Sequence, residues 1–359
     1  MATDVTTYQC PACTAPLEFK GDSEKLECEY CGSSFEVAEI EALTKEAEQK
    51  AAEAPQWDTS DMTDDWGEDS GKMRTYTCPS CSAQLICDET TAATSCPYCG
   101  NPTVIPGQFT DTLKPDYVIP FKLTKEDAVK ALKKHYAGKY FLPNAFSQEN
   151  QIQKIQGVYV PFWLFNGQAS GNAVYKATRT RAYTSGDYRI TETSHFNIFR
   201  QGDVSFEKIP VDASTKMPDN YMDSIEPFDY SQLKPFSTAY LPGYLADKYD
   251  VSAEDSQARA DERCAGTLES ALRATVIGYE SCIPIAKNIQ LNRGKVYYAL
   301  LPVWLLTTKW EGKDYLFAIN GQTGRLAGDL PCSMTKYWRL FAVIAGVLSV
   351  LGTAVLALL

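Results

Sequence analysis

The sequence has only two histidines in 359 residues. Neither joins a catalytic pattern, because His-Glu-x-x-His, Gly-x-Ser-x-Gly and a Gly-Lys-Ser/Thr phosphate loop are all missing. No catalytic residue is therefore assigned: His135, on an expected helix, and His195, on an expected strand, read as surface or core side chains. Cys264, Cys282 and Cys332 stand alone and read as packing thiols. Positive charge is also short. A formal net charge of -11, with pI near 4.9, opposes nonspecific binding to nucleic acid and to anionic lipid, since both attractions need clustered Lys and Arg. The start, MATDVTTYQC, lacks a basic region and an apolar run, so no cleaved signal is expected.

Long apolar runs are absent with one exception, Leu340 to Leu359 (LFAVIAGVLSVLGTAVLALL), twenty residues without a charge. At 1.5 Å per residue this run reaches across a bilayer core of about 30 Å. Tyr337 and Trp338 suit the headgroup level, and Lys336 and Arg339 lie on the N-terminal flank with no charge after them. That bias places the body on the cytoplasmic side of a cell membrane, single-pass, with residues 340–359 in the lipid bilayer. The competing reading is a buried core helix, which seldom runs so long without a polar face. The chain ends inside the run, as in a tail anchor or in a first span ahead of further polypeptide.

Twelve cysteines in a reduced compartment point to metal rather than disulfides. Eight form two quartets: Cys10, Cys13, Cys28 and Cys31, then Cys78, Cys81, Cys96 and Cys99, with fourteen residues between the pairs of each. The match extends to Pro11 with Pro79, Ala15 with Ala83, Leu17 with Leu85, Tyr30 with Tyr98, and Gly32 with Gly100, so duplication is the natural account. Two residues between cysteines let a tight turn aim both sulfurs at one ion, and two such turns complete a tetrahedral four-thiolate site. The expected cofactor is Zn²⁺, two structural ions, since such a site leaves no position for water or substrate. A redox reading of Cys96-Pro97-Tyr98-Cys99 fails because Gly100-Asn101-Pro102 cannot start the helix it needs. Nucleic acid is disfavoured at the first ribbon, where Lys20 and Lys25 face Glu18, Asp22, Glu24, Glu27, Glu29 and Glu36. The second ribbon is nearly neutral and less decisive. Cys87 aligns with Phe19 and reads as a packing residue.

Between the quartets, residues 36–54 favour a solvated helix. Residues 58–70 carry Asp58, Asp61, Asp64, Asp65, Glu68 and Asp69 without a base and read as a disordered spacer, with Trp57 and Trp66 as an alternative docking motif. Beyond residue 107, Thr124-Lys125-Glu126-Asp127 opens a helix with Val129, Leu132 and Tyr136 on one face and Gly138 as its stop. Ser252-Ala253-Glu254-Asp255 opens another with Cys264, Leu268, Leu272 and Thr275 on one face. Each is followed by an aromatic strand, marked by Pro161-Phe162-Trp163-Leu164 and Pro302-Val303-Trp304-Leu305, and by hairpin turns at Ser185-Gly186-Asp187 and Asn320-Gly321. The aromatic stretches 223–230 and 235–250 read as irregular packing or as a groove.

The expected fold class is thus α+β multidomain: two small β zinc ribbons (1–37 and 74–107), a helical and acidic linker (38–73), a duplicated antiparallel α+β body (108–335) and one C-terminal transmembrane helix (336–359). The quartets, Lys114 to Phe121, the strand 157–164, the stretches 224–230 and 240–250 and the terminal run resemble a bacterial family of membrane-anchored proteins with a TFIIB-type zinc ribbon, sometimes labelled as a primosomal helicase. No nucleotide-binding loop supports the helicase label. The resemblance implies a membrane-attached scaffold, with membrane-associated protein partners of phage-shock or flotillin-like type. The reading is a non-enzymatic adaptor whose two ribbons, on a flexible linker, engage a partner bivalently. Its alternatives are a membrane-tethered nucleic-acid-binding or transcription-linked protein, and an enzyme with its pocket in the aromatic middle segment.

Overall fold

The computed structural model describes residues 11, 17–20, 25–27, 32–40, 42, 56–91, 93, 95–107, 109 and 112–358. Its strands are β1 (Glu18–Lys20), β2 (Lys25–Glu27), β3 (Ser34–Phe35), β4 (Met73–Thr77), β5 (Gln84–Asp88), β6 (Ile105–Gly107), β7 (Tyr117–Val118), β8 (Gln156–Ser185), β9 (Tyr188–Asp212), β10 (Lys234–Pro235), β11 (Leu245–Asp247), β12 (Ser281–Trp310), β13 (Lys313–Asn320) and β14 (Leu326–Ala327). The helices are α1 (Lys125–Tyr136), α2 (Asn144–Ser147), α3 (Glu149–Ile152), α4 (Asp219–Ile225), α5 (Gln257–Ala274) and α6 (Met334–Leu358). The chain divides into two compact units, Met1–Asp58, Phe165–Ile209 and Gln257–Val296 in the first, and Thr59–Leu164, Pro210–Ser256 and Tyr297–Leu359 in the second.

The first unit contains a small antiparallel sheet, β1-β2-β3, with Leu17, Leu26 and Ile40 buried on it. Its larger part sets the C-terminal half of β8 beside β9 and the N-terminal half of β12. A Cβ on Gly171 would lie 2.3 Å from the Asn288 carbonyl and one on Gly167 would lie 2.9 Å from that of Asn292, so β8 and β12 run antiparallel and nearly touch. On one face α5 lays Cys264, Leu268 and Leu272 over Ala169, Ala173, Tyr175 and Ala177. The expected opening at Ser252–Asp255 is present, with the Asp255 amide donating to Ser252 Oγ at 3.1 Å, one turn ahead of the regular helix. Trp57 is buried here. Its ring meets Phe165 edge-on at 4.9 Å, and its Nε1 donates to Asp261, which also holds Arg293 at 2.7 Å.

In the second unit the strand order is β10-β7-β12-β8-β11-β5-β4-β6, with β13 on β12 and β14 on β13. Residues 157–165 are buried without a break, the pattern of a strand covered on both faces. Alternate residues of β12 divide between the two sides. Trp304 and Leu306 join Leu132, Phe146 and Ile152 from α1 to α3, while Leu301, Val303 and Leu305 join a cluster with Phe162, Met222, Cys78 and Cys96. α1 starts in the expected capping box, Thr124 Oγ1 accepting from the Asp127 amide and Asp127 accepting from the Thr124 amide, and stops at Gly138 with φ of 74°.

Three expectations need correction. The sheet is mixed rather than antiparallel, because the short strands β11 and β7 arrive through loops and pair parallel with β8 and β12. The segment of the second quartet is part of that sheet: Ile86 pairs with Ala246 and Leu85 with Asp247. The acidic stretch after Trp57 is ordered, since Trp66 is buried, donates to the Thr112 carbonyl at 2.7 Å and packs edge-on against Phe109 and Phe236. Of the aromatic stretches, the second brings Tyr244 onto Phe121, stacked at 4.1 Å, and lines a cleft of about 490 Å³ with residues 242–245. The terminal run is α6. Its apolar window Met334–Thr353 is 0% buried, unlike a helix packed into a core.

Candidate metal centre

Cys78 and Cys81 occupy the turn between β4 and β5, and Cys96 and Cys99 lie on the way from β5 to β6. Both turns use one backbone scheme. The Cys78 amide donates to the Ala83 carbonyl and the Ser82 amide to the Cys78 carbonyl, each at 2.9 Å, and the Cys96 amide to Asn101 with the Gly100 amide to Cys96 repeats this at the same distances. The fifth residue of each turn is left-handed, Ser82 at φ 59° and Gly100 at φ 67°. Gly32, which matches Gly100 in the first quartet, has φ of 73°. Cys10, Cys13, Cys28 and Cys31 themselves lie outside the described residues.

The four sulfurs Cys78, Cys81, Cys96 and Cys99 lie within 4.8 Å of one another, with Cys78 to Cys99 and Cys81 to Cys96 both at 3.6 Å. The edge of a tetrahedron with metal–sulfur bonds near 2.3 Å is about 3.8 Å, whereas a disulfide needs about 2.05 Å. Burial opposes ionisation of Cys78, yet amide bonds from Cys81 and Ser80 together bring its thiol down to about 7. At Cys81 burial wins and pushes the thiol up to about 11, and it pushes Cys96 up as well despite the Cys99 and Tyr98 amides. Four converging sulfurs, of which Cys78, Cys81 and Cys96 receive backbone amide donors, fit a soft cation in their midst. Four thiolates fill a tetrahedral shell, so the arrangement can hold an ion and has no open position for chemistry. Cys87 stays outside the cluster, buried, its Sγ donating to the Thr91 carbonyl at 3.0 Å.

The body grips the second turn at several points. Thr307 Oγ1 donates to the Pro97 and Tyr98 carbonyls at 2.8 and 2.6 Å, and Gln156 Nε2 donates to Ser95 Oγ at 2.7 Å. Tyr98 is buried beside Asp247, whose carboxyl burial pushes up to about 7 although Ser214 donates to it at 2.6 Å. A cleft of about 410 Å³ opens next to Cys96 and Pro97, with Lys154, Lys309 and Leu305 in its wall.

Against this geometry the curated proteins offer a match to the uncharacterized protein YdjG of Bacillus subtilis (strain 168), 35% identical over 345 residues and covering 95% of each chain. The chain belongs to the YdjG family. No family model and no solved structure matches it. The relative's name carries no activity, so function rests on the site. Of the sequence candidates, the structure brings the second quartet together. His195 is exposed on β9, and His135 is half-buried on α1 and kept below the usual imidazole range by burial and then Lys139. Sequence reasoning missed Thr307, Gln156 and Asp247 as supports of the metal turn. None carries a local motif, although Asp247 lies within a stretch already notable for its aromatics, 235–250.

Proposed function

We propose that the chain is a non-enzymatic, membrane-anchored adaptor. Cys78, Cys81, Cys96 and Cys99 hold one structural Zn²⁺ and Cys10, Cys13, Cys28 and Cys31 a second. α6 crosses the membrane once, the body is cytoplasmic, and its surfaces recruit membrane-associated proteins. The closed four-thiolate cluster carries this reading, because a metal with no open position supports a fold and not a reaction. The wholly exposed apolar face of α6 adds the anchor. Since β4 and β5 belong to the body sheet, the clean partner test removes residues 1–55 and spares the second quartet.

The experiment is co-purification from detergent-solubilised membranes. A chain lacking 1–55 should stay in the membrane and release its soluble partners, and one lacking 340–359 should keep them and lose the membrane. Retention of every partner together with loss of DNA association in cells would replace the adaptor with the nucleic-acid alternative.

A further inference from the structure

α6 starts on the body and not on a tether. Leu330 packs on the cluster of Leu132 and Phe146. The Ser333 amide donates to the Phe141 carbonyl at 2.7 Å, Lys336 Nζ donates to the Leu142 carbonyl at 2.6 Å, and the Phe141 and Tyr337 rings lie 5.8 Å apart. These contacts hold the loop 138–142 against the first turn of α6. If that turn enters a bilayer, the loop lies at headgroup depth.

The chain around this loop is basic. The chain as a whole carries -11, yet residues 128–148 contain Lys130, Lys133, Lys134 and Lys139 and no carboxylate, and no carboxylate follows Asp329. Lys130 pairs with Asp127 and Lys133 with Glu149, whereas Lys134 in the last turn of α1 and Lys139 in the loop stand exposed. At the loop tip Tyr140 is 82% exposed, and Tyr337 and Trp338 are 42% and 57% exposed. A phenol so open contributes little to the core, and an amphipathic ring flanked by cations is the chemistry of a headgroup layer.

We propose that loop 138–142 and the last turn of α1 form a second membrane-contacting surface, in which Lys134 and Lys139 bind anionic phospholipid headgroups and Tyr140 sits at the interfacial level. This rests on the reading of α6 as a span. The geometry gives it a purpose: a helix clamped at its first turn by the loop holds the body against the membrane at one orientation, which a flexible tether would not.

The test uses the full chain in vesicles of phosphatidylcholine alone or mixed with phosphatidylglycerol, with a photo-crosslinking phenylalanine analogue at position 140. Tyr140 should yield lipid adducts, enriched in phosphatidylglycerol. The double variant Lys134→Gln/Lys139→Gln, exposed at both sites, should retain anionic lipid roughly an order of magnitude less through detergent purification. Alkaline carbonate extraction tests the span separately. A chain that extracts as soluble fails the span reading and takes this inference with it. A chain that stays in the membrane while position 140 gives only protein adducts, and the variant keeps its lipid, overturns this inference alone.

Discussion

The two halves of β8 live in different surroundings. Residues 157–164 are buried on both faces, between the helices α1 to α3 and the cluster that includes Cys78 and Cys96, whereas beyond Phe165 burial alternates under α5 and then ceases over residues 181–197. One strand thus serves a two-sided core and a one-sided one. A one-sided sheet is stabilised by the apolar stripe of a single helix. The two-sided region also has to hold a tight loop, 95–101, that has no regular ladder of its own, and it does so with the cysteine cluster and with Thr307, Gln156 and Tyr98.

If that contrast is right, removing the metal should have the largest effect and a local one. Cys96→Ser should abolish binding of one ion and forfeit much of the roughly 10–16 kcal/mol that a structural zinc supplies to a small domain. Elemental analysis with hydrogen exchange should find protection lost in β4, β5 and β11 and kept in α5. Equal loss in α5 would break the comparison. The converse change is Leu268→Ala, at a side chain 1% exposed in the α5 core. It should cost roughly 2–5 kcal/mol of stability with metal content unchanged, read by denaturant titration. The smallest effect sharpens the link between metal turn and body. Burial raises Asp247 from 3.8 to about 7, so the fold favours its neutral form, and the stability this contributes is complete below 3.8 and lost as pH rises through about 7. Asp247→Asn should flatten that loss by about 2 kcal/mol, against a ceiling of about 4 kcal/mol for a shift of this size. Wild type and variant with an unchanged pH slope at constant metal would show that the carboxyl is already relaxed.

Helix starts and stops were legible because they are local. The Thr124 capping box, the Ser252–Asp255 opening and the stop at Gly138 depend on hydrogen bonds within four residues. The second quartet was legible for the same reason, as each turn closes on itself. The acidic stretch was misread because its charge argued for a solvated spacer, while the two tryptophans that fix it find partners as distant as Thr112 and Asp261. Net charge is likewise a whole-chain quantity. A total of -11 averages over a local stretch, residues 128–148, that holds four lysines and no carboxylate.

By itself the sequence determined the quartets and their spacing, the caps of α1 and α5, and a run long and apolar enough to be α6, since each depends on residue type at short range. Only the tertiary structure decided that the second quartet belongs to the body sheet, that β7 and β11 run parallel to their neighbours, and that loop 138–142 lies against the start of α6. Those outcomes rest on backbone pairing and side-chain contact between segments far apart in the chain, and such pairing leaves no periodic trace in either partner.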